Sequence, residues 1–270
     1  MTRQELINSI RNKGNFLCVG LDPDADKIPK FLLEEEDPIF EFNKQIIDAT
    51  AEHCVAFKPN NAFYEAYGLS GAESLEKTIK YLHINYPDHF LIADAKRGDI
   101  GNTSSMYAKA YFERLETDAI TVAPYMGSDS VKPFLEFKNK WAIVLGLTSN
   151  AGSSDFQQLN INGKELYLHV METCAKWGTK DNMMFVVGAT KAEMLTKIRE
   201  VLPDHFLLIP GVGAQGGSLK EVCKYGLNKD VGLLVNSSRA IIYASSGEDF
   251  AKKAAEEAAK IAAEMREIIH

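Results

Sequence analysis

Three charged residues in one short run, Asp94, Lys96 and Asp99, carry the clearest chemical pattern in the chain. They belong to Ala93-Asp94-Ala95-Lys96-Arg97-Gly98-Asp99-Ile100-Gly101-Asn102-Thr103, which follows the apolar, strand-like Phe90-Leu91-Ile92. Strand side chains alternate between faces, so Asp94 and Lys96 are expected to share a direction, with Asp99 on the loop beyond. Alternating carboxylate, ammonium and carboxylate groups are costly to desolvate. Such an array marks a place where something binds.

Other polar residues repeat this placement. Apolar runs end in Asp22, in Lys58, in Thr148-Ser149-Asn150, in Pro210-Gly211-Val212-Gly213-Ala214-Gln215-Gly216 and in Ser237-Ser238-Arg239. The glycines of segment 210–216 let backbone N–H groups approach an anion closely, and Gln215 adds a donor. Arg239 brings a planar fork that matches phosphate oxygens. That combination points to a substrate bearing a phosphate.

The elements that must position these groups are short. Eight apolar runs recur, at residues 17–21, 54–57, 90–93, 119–123, 142–147, 184–188, 206–209 and 232–235. Each has the length of a buried strand, and each is apolar throughout, as when both faces of a parallel sheet are covered. Amphipathic stretches of helical length separate most of them. Residues 39–53 carry Ile39, Phe42, Ile46 and Ile47, and residues 73–86 carry Leu75, Ile79, Leu82 and Tyr86. Ser245-Ser246-Gly247-Glu248 reads as a capping box that opens an Ala-rich helix ending near His270. Eight strand–helix units in 270 residues predict an α/β fold, a single-domain (β/α)8 TIM barrel over residues 1–270. An open doubly wound sheet is the alternative. In a barrel the polar strand ends all fall on the C-terminal face, where barrel enzymes place their chemistry. The longest polar loop, 148–163, reads either as a lid or as a tolerated insertion.

Composition narrows the classes further. A net charge of −7 argues against a nucleic-acid-binding surface. Cys18, Cys54, Cys174 and Cys223 are far apart and form no CxxC, which predicts buried thiols rather than disulfides or a metal site. The N-terminus shows no signal-peptide apolar region, and no apolar run nears the ~20 residues that span a bilayer. A cytoplasmic protein without a membrane partner is expected. Gly211-Val212-Gly213-Ala214-Gln215-Gly216 matches the GxGxxG dinucleotide pattern, but it follows the seventh strand. Asp230 precedes the next strand instead of closing it, so nicotinamide binding is not expected. The adhesion-like Arg97-Gly98-Asp99 and the sequons at Asn102 and Asn236 are incidental in a chain without secretion signals.

Residues 94–103 closely resemble the signature of the orotidine 5′-phosphate decarboxylase family, and the resemblance covers nearly the whole chain. Leu21-Asp22-Pro23-Asp24 is similar to the family's first-strand motif and Phe57-Lys58-Pro59-Asn60 to its second. Leu147-Thr148-Ser149-Asn150, segment 210–216 and Asn236-Ser237-Ser238-Arg239 match its later loops in order. The long fifth loop and segment 57–60 resemble the second, largely bacterial branch of the family.

The resemblance implies conversion of orotidine 5′-phosphate to uridine 5′-phosphate and CO2, the last step of de novo pyrimidine synthesis. It implies no metal and no organic cofactor, and a homodimer with sites at the interface. Lys58, Asp94, Lys96 and Asp99 would form the charged network, with Asp99, Ile100 and Thr103 completing the partner subunit's site. Asp22 and Lys58 would hold ribose hydroxyls, Ser149 the pyrimidine edge, and Gln215 and Arg239 the phosphate, with Pro210 and Ser238 in the flanking loops. The family commonly has glycine before that arginine, where this chain has Ser238. Loss of CO2 from C6 leaves a ring carbanion without a ready sink. Lys96 as ammonium would stabilise it and then supply the proton. Asp94 and Asp99 would hold Lys96 charged and oriented. Two alternatives stand beside this reading. One is a Mg²⁺-dependent phosphosugar keto-acid decarboxylase or hexulose phosphate aldolase, which shares Asp-x-Lys-x-x-Asp. The other is a non-catalytic nucleotide-binding barrel.

Overall fold

The computed structural model describes residues 1–189, 192–212 and 217–269. Its strands are β1 (Leu17–Leu21), β2 (Ala56–Pro59), β3 (Phe90–Arg97), β4 (Ala119–Val122), β5 (Trp141–Leu147), β6 (Asn160–Ile161), β7 (Lys164–Glu165), β8 (Met183–Val187), β9 (Phe206–Pro210) and β10 (Leu233–Ser237). Eight of them close into a barrel in the order β1-β10-β9-β8-β5-β4-β3-β2, while β6 and β7 form a separate antiparallel pair. Every barrel strand lies beside the next one in the chain. That order arises when each strand returns through a helix to a parallel neighbour. The helices are α1 (Arg3–Lys13), α2 (Pro38–Thr50), α3 (Ala62–Glu65), α4 (Gly68–Asn85), α5 (Gly101–Lys109), α6 (Ser128–Leu135), α7 (Ser153–Phe156), α8 (Leu166–Ala175), α9 (Met194–Val201), α10 (Leu219–Gly226), α11 (Arg239–Ile242) and α12 (Phe250–Ile269). The (β/α)8 barrel expected from the apolar runs is therefore present, and the open doubly wound sheet is not.

The chain forms two compact units, Met1–Ile7 with Lys96–Val235 and Asn8–Ala95 with Asn236–His270, whose boundary falls within β3 and β10. In the first, β4 and β8 are buried along their whole length. The Trp141 indole donates to the Met1 carbonyl (2.9 Å), and Arg3 pairs with Asp230 at 3.1 Å. Arg199 donates to the carbonyls of Leu202, His205, Gly226 and Gly232, tying together the segments that carry them.

In the second unit β1 and β2 pair in parallel from Cys18↔Ala56 to Leu21↔Pro59, and both are wholly buried. α2 opens on Asp37, whose carboxylate accepts the Phe40 N–H, with Pro38 at the first helical position. It buries Ile39, Phe42, Ile46 and Ile47, as their spacing predicts. α12 turns Phe250, Ala254, Ala258, Ala262 and Met265 inward; the small side chains let it pack closely. All four cysteines are buried, and none is joined in a disulfide. Among the described residues no helix is long and apolar enough to cross a membrane.

Lys58, Asp94 and Lys96 lie within the C-terminal parts of β2 and β3, as expected of strand-end residues. Three sequence expectations need correction. β10 runs on past its apolar run, so Ser237 closes the strand rather than following it. An apolar pattern stops at the first polar side chain, whereas a backbone ladder does not. Segment 148–163 is no plain loop: it contains α7 and runs into the β6–β7 pair. At the last helix the Ser245 hydroxyl accepts the Gly247 N–H and donates to Asp249, not to Glu248, and the helix opens at Phe250.

Candidate active site

The second unit brings Asp22, Lys58 and Asp94 together through β1, β2 and β3. Lys58 is 3% exposed, and its Nζ donates to Asp94 Oδ2 at 2.8 Å. Burial works against the ammonium, but the Asp94 and Asp22 carboxylates outweigh it and hold Lys58 above the ordinary lysine range. The pair is thus an ammonium–carboxylate contact at neutral pH. Asp22 directly follows β1. Its carbonyl accepts from the Tyr243 hydroxyl (2.7 Å), whose oxygen in turn accepts the Asp24 N–H (2.8 Å). Burial raises the Tyr243 phenol, which keeps the proton that this clamp needs. The Asp22 Oδ1, Ser237 Oγ and Ser238 Oγ atoms are buried and make no hydrogen bond. A buried polar atom left so costs roughly 1–3 kcal/mol, so three at the ends of β1 and β10 suit a site built for a polar ligand.

Gly20 explains how Ser238 fits. A Cβ on Gly20 would lie 1.8 Å from Ser238 Oγ, so the serine hydroxyl occupies the space a side chain on β1 would need. Arg239 opens α11 directly afterwards and is exposed.

In the first unit Lys96 is exposed near the end of β3, and its φ is 48°. A non-glycine residue in this region carries about 1–3 kcal/mol of strain. The Lys96 N–H donates to the Thr121 hydroxyl (2.9 Å). Alternation of strand side chains assumes extended backbone at both residues. Lys96 is not extended, so alternation does not set its direction relative to Asp94. Asp99 stands in the turn before α5. Ser104, buried on that helix, accepts its N–H (3.1 Å) and donates to its carbonyl (2.6 Å). The Asp99 carboxylate accepts the Ile100 N–H at 2.7 Å. Thr103 is exposed on the first turn of α5.

Ser149 follows β5, whose register shifts between Leu145 and Leu147. Such a bulge re-aims what comes after it. Ser149 also presses on Gly188: a Cβ there would lie 2.7 Å from the Ser149 nitrogen. Pro210 is the half-buried last residue of β9, and Gln215 lies outside the described residues.

Residues 213–216 of the GxGxxG pattern lie outside the described residues, while Asp230, Arg97 and Gly98 have structural contacts. Asp230 is the partner of Arg3, ahead of β10. Arg97 lies 5.5 Å from the Tyr107 ring centroid, and a Cβ on Gly98 would meet the Ala123 carbonyl at 2.8 Å. Sequence reasoning missed Tyr243, Thr121 and Ser104. Thr121 had a visible signal, a lone hydroxyl inside the run 119–123. Tyr243 and Ser104 had none, because their contacts depend on distant or helical geometry.

Comparisons with known proteins identify the family of the chain. The model of the orotidine 5′-phosphate decarboxylase / HUMPS family matches residues 15–254. A Flavobacterium johnsoniae protein named orotidine 5′-phosphate decarboxylase is 66% identical over 269 residues, covering 100% of this chain and 98% of that protein. A Phocaeicola vulgatus protein of the same name is 58% identical over 270 residues, covering 100% and 99%. The solved structure of Leishmania donovani OMP decarboxylase has a TM-score of 0.82 at 38% identity, covering 97% of this chain and 99% of that one. With this match along almost its whole length, the chain belongs to the orotidine 5′-phosphate decarboxylase / HUMPS family.

Proposed function

We propose that the chain removes CO2 from orotidine 5′-phosphate to give uridine 5′-phosphate, with Lys96 delivering the proton to C6. The observation that carries this reading is the buried Lys58–Asp94 pair, followed two residues along β3 by a lysine in a strained conformation. The carbanion left at C6 needs a cation already in place, since reorganising water around it would be slow. A fixed ammonium meets that need and is itself the acid that completes the reaction. Lys58 and Asp22 hold the ribose hydroxyls, Ser149 the pyrimidine edge, and Arg239 with Gln215 the phosphate. The phosphate is remote from the bond that breaks, so its binding energy orients the ring, and its loss lowers turnover as well as affinity. The HUMPS half of the family description leaves sugar phosphates open. The relatives at 58% and 66% identity carry only the decarboxylase name, which favours the nucleotide.

The reading includes a homodimer in which Asp99, Ile100 and Thr103 serve the partner's site. Ile100, Met106, Tyr125 and Met126 support it: all four are exposed, Tyr125 by 95%. They lie on or beside α5 and before α6, where apolar exposure suits a partner surface.

The test is conversion of orotidine 5′-phosphate in excess chelator, with uridine 5′-phosphate as the measured product. Wild-type protein turns over and Lys96→Ala does not. Absence of turnover by folded wild-type protein, or turnover of a sugar phosphate only when Mg²⁺ is added, would overturn the reading. Mixing Lys96→Ala with Asp99→Ala restores part of the activity if sites are shared. No recovery after demonstrated subunit exchange removes Asp99 from the partner's site.

A further inference from the structure

Gln157 has no part in the roles assigned so far, yet both ends of its carboxamide are used on one residue. Its Oε1 accepts the Thr148 N–H at 2.8 Å, and its Nε2 donates to Thr148 Oγ1 at 2.9 Å. The Thr148 hydroxyl then donates to Asn150 Oδ1 at 2.5 Å. A two-point contact of this kind fixes the amide's orientation, because a flipped amide would set its NH2 against the Thr148 N–H. Gln157 is anchored in turn: its N–H donates to the Ser153 carbonyl (3.0 Å), and its carbonyl accepts the N–H of Tyr167, which is 1% exposed. Ser149 thus sits between Thr148, which Gln157 holds, and Asn150, which the Thr148 hydroxyl holds, with Gly188 pressed against its backbone.

We propose that Gln157 is a positioning residue for the pyrimidine: it holds Thr148-Ser149-Asn150 in the conformation that reads the polar edge of the base. The proposal rests on the role given to Ser149 under the proposed function. It makes base recognition depend on the excursion between β5 and α8, so that α7 and the turn at the end of β5 act as one body. A displacement of about 1 Å at a group that orients a substrate can cost up to ~100-fold, so a clamp at Thr148 is enough to govern what Ser149 does.

The experiment compares two ligands in the full-length protein. Uridine 5′-phosphate carries the base, and ribose 5-phosphate lacks it. In Gln157→Ala, affinity for uridine 5′-phosphate falls about 10- to 100-fold, while affinity for ribose 5-phosphate stays within about twofold. Gln158→Ala removes a bond from Gln158 to Ser153 in the same excursion and leaves both affinities within about twofold of wild type. Hydrogen exchange shows loss of protection at the Thr148 amide in Gln157→Ala only. Equal losses for both ligands, or no loss for either, overturn the proposal, as does an equal effect of Gln158→Ala. If wild-type protein binds uridine 5′-phosphate without turning over orotidine 5′-phosphate, the activity reading fails and the two-ligand comparison still decides the role of Gln157. If wild-type protein does not bind uridine 5′-phosphate, both fail.

Discussion

The Lys58–Asp94 pair shows how much of a site can hang on one contact. The two side chains are 4% and 11% exposed, so removing one strands the other in low dielectric. Asp94→Ala is expected to lower stability by about 3–5 kcal/mol, measured by urea denaturation. Replacing both partners with apolar residues, Lys58→Met with Asp94→Leu, recovers most of that loss and leaves the protein inactive. Stability and function part here because an apolar pair packs as well as an ion pair but lacks the charged groups that the proposed ribose contact needs. Tyr243→Phe is milder. It removes the hydroxyl that ties the Asp22 carbonyl to the Asp24 N–H. It costs about 1–2 kcal/mol, with KM raised more than kcat is lowered if Asp22 holds the ribose as proposed.

At the scale of elements, close approaches position the strand ends. Gly20 on β1 leaves space that the Ser238 hydroxyl fills. Gly20→Ala forces the two apart and is expected to cost about 1–3 kcal/mol, with weakened phosphate binding because Arg239 follows Ser238. Adding Ser238→Gly removes the clash; the next atom a Cβ would meet is Asn236 Oδ1 at 3.2 Å. The double variant should therefore recover stability in thermal melts. If it does not, contact with Ser238 is not what makes residue 20 a glycine. The motif legible in the chain as a polar strand end is thus half of a pair whose other half, Gly20, looked like an ordinary strand residue.

At the scale of the whole molecule, buried His205 adds a pH dependence to stability. His205 packs edge-to-face on Phe185 (5.7 Å), and both its ring nitrogens are buried without hydrogen bonds. Burial, reinforced by Arg3 and Arg199 and opposed by Asp204 and Asp181, lowers it from 6.5 to about 4. The folded protein therefore keeps His205 neutral where the unfolded chain protonates it. Between pH 6.5 and about 4 the unfolded state binds more protons, so stability falls as pH falls through that window. The full shift is worth at most roughly 3–4 kcal/mol. His205→Gln should flatten this limb in urea titrations at pH 7, 5.5 and 4.5. An unchanged slope would assign the acid sensitivity to other groups.

The sequence by itself determined the fold class, the eight barrel strands, the buried cysteines and the rank of the charged run at 94–99. These follow from composition and from the period of apolar residues, which are local and survive without coordinates. It also marked Asp22, Lys58, Ser149, Ser238 and Arg239, because a polar residue closing a buried strand is conspicuous in one dimension. Only the tertiary structure decided which of these touch. It seated Lys58 on Asp94, left Lys96 outside extended backbone with φ 48°, and bound the Asp99 turn to Ser104. It also tied Thr148 to Gln157. The charged run therefore reads as an evenly alternating array in the chain but is bent at its lysine in the fold. Backbone dihedrals and contacts between distant residues are settled when strands meet, and no spacing rule carries that information.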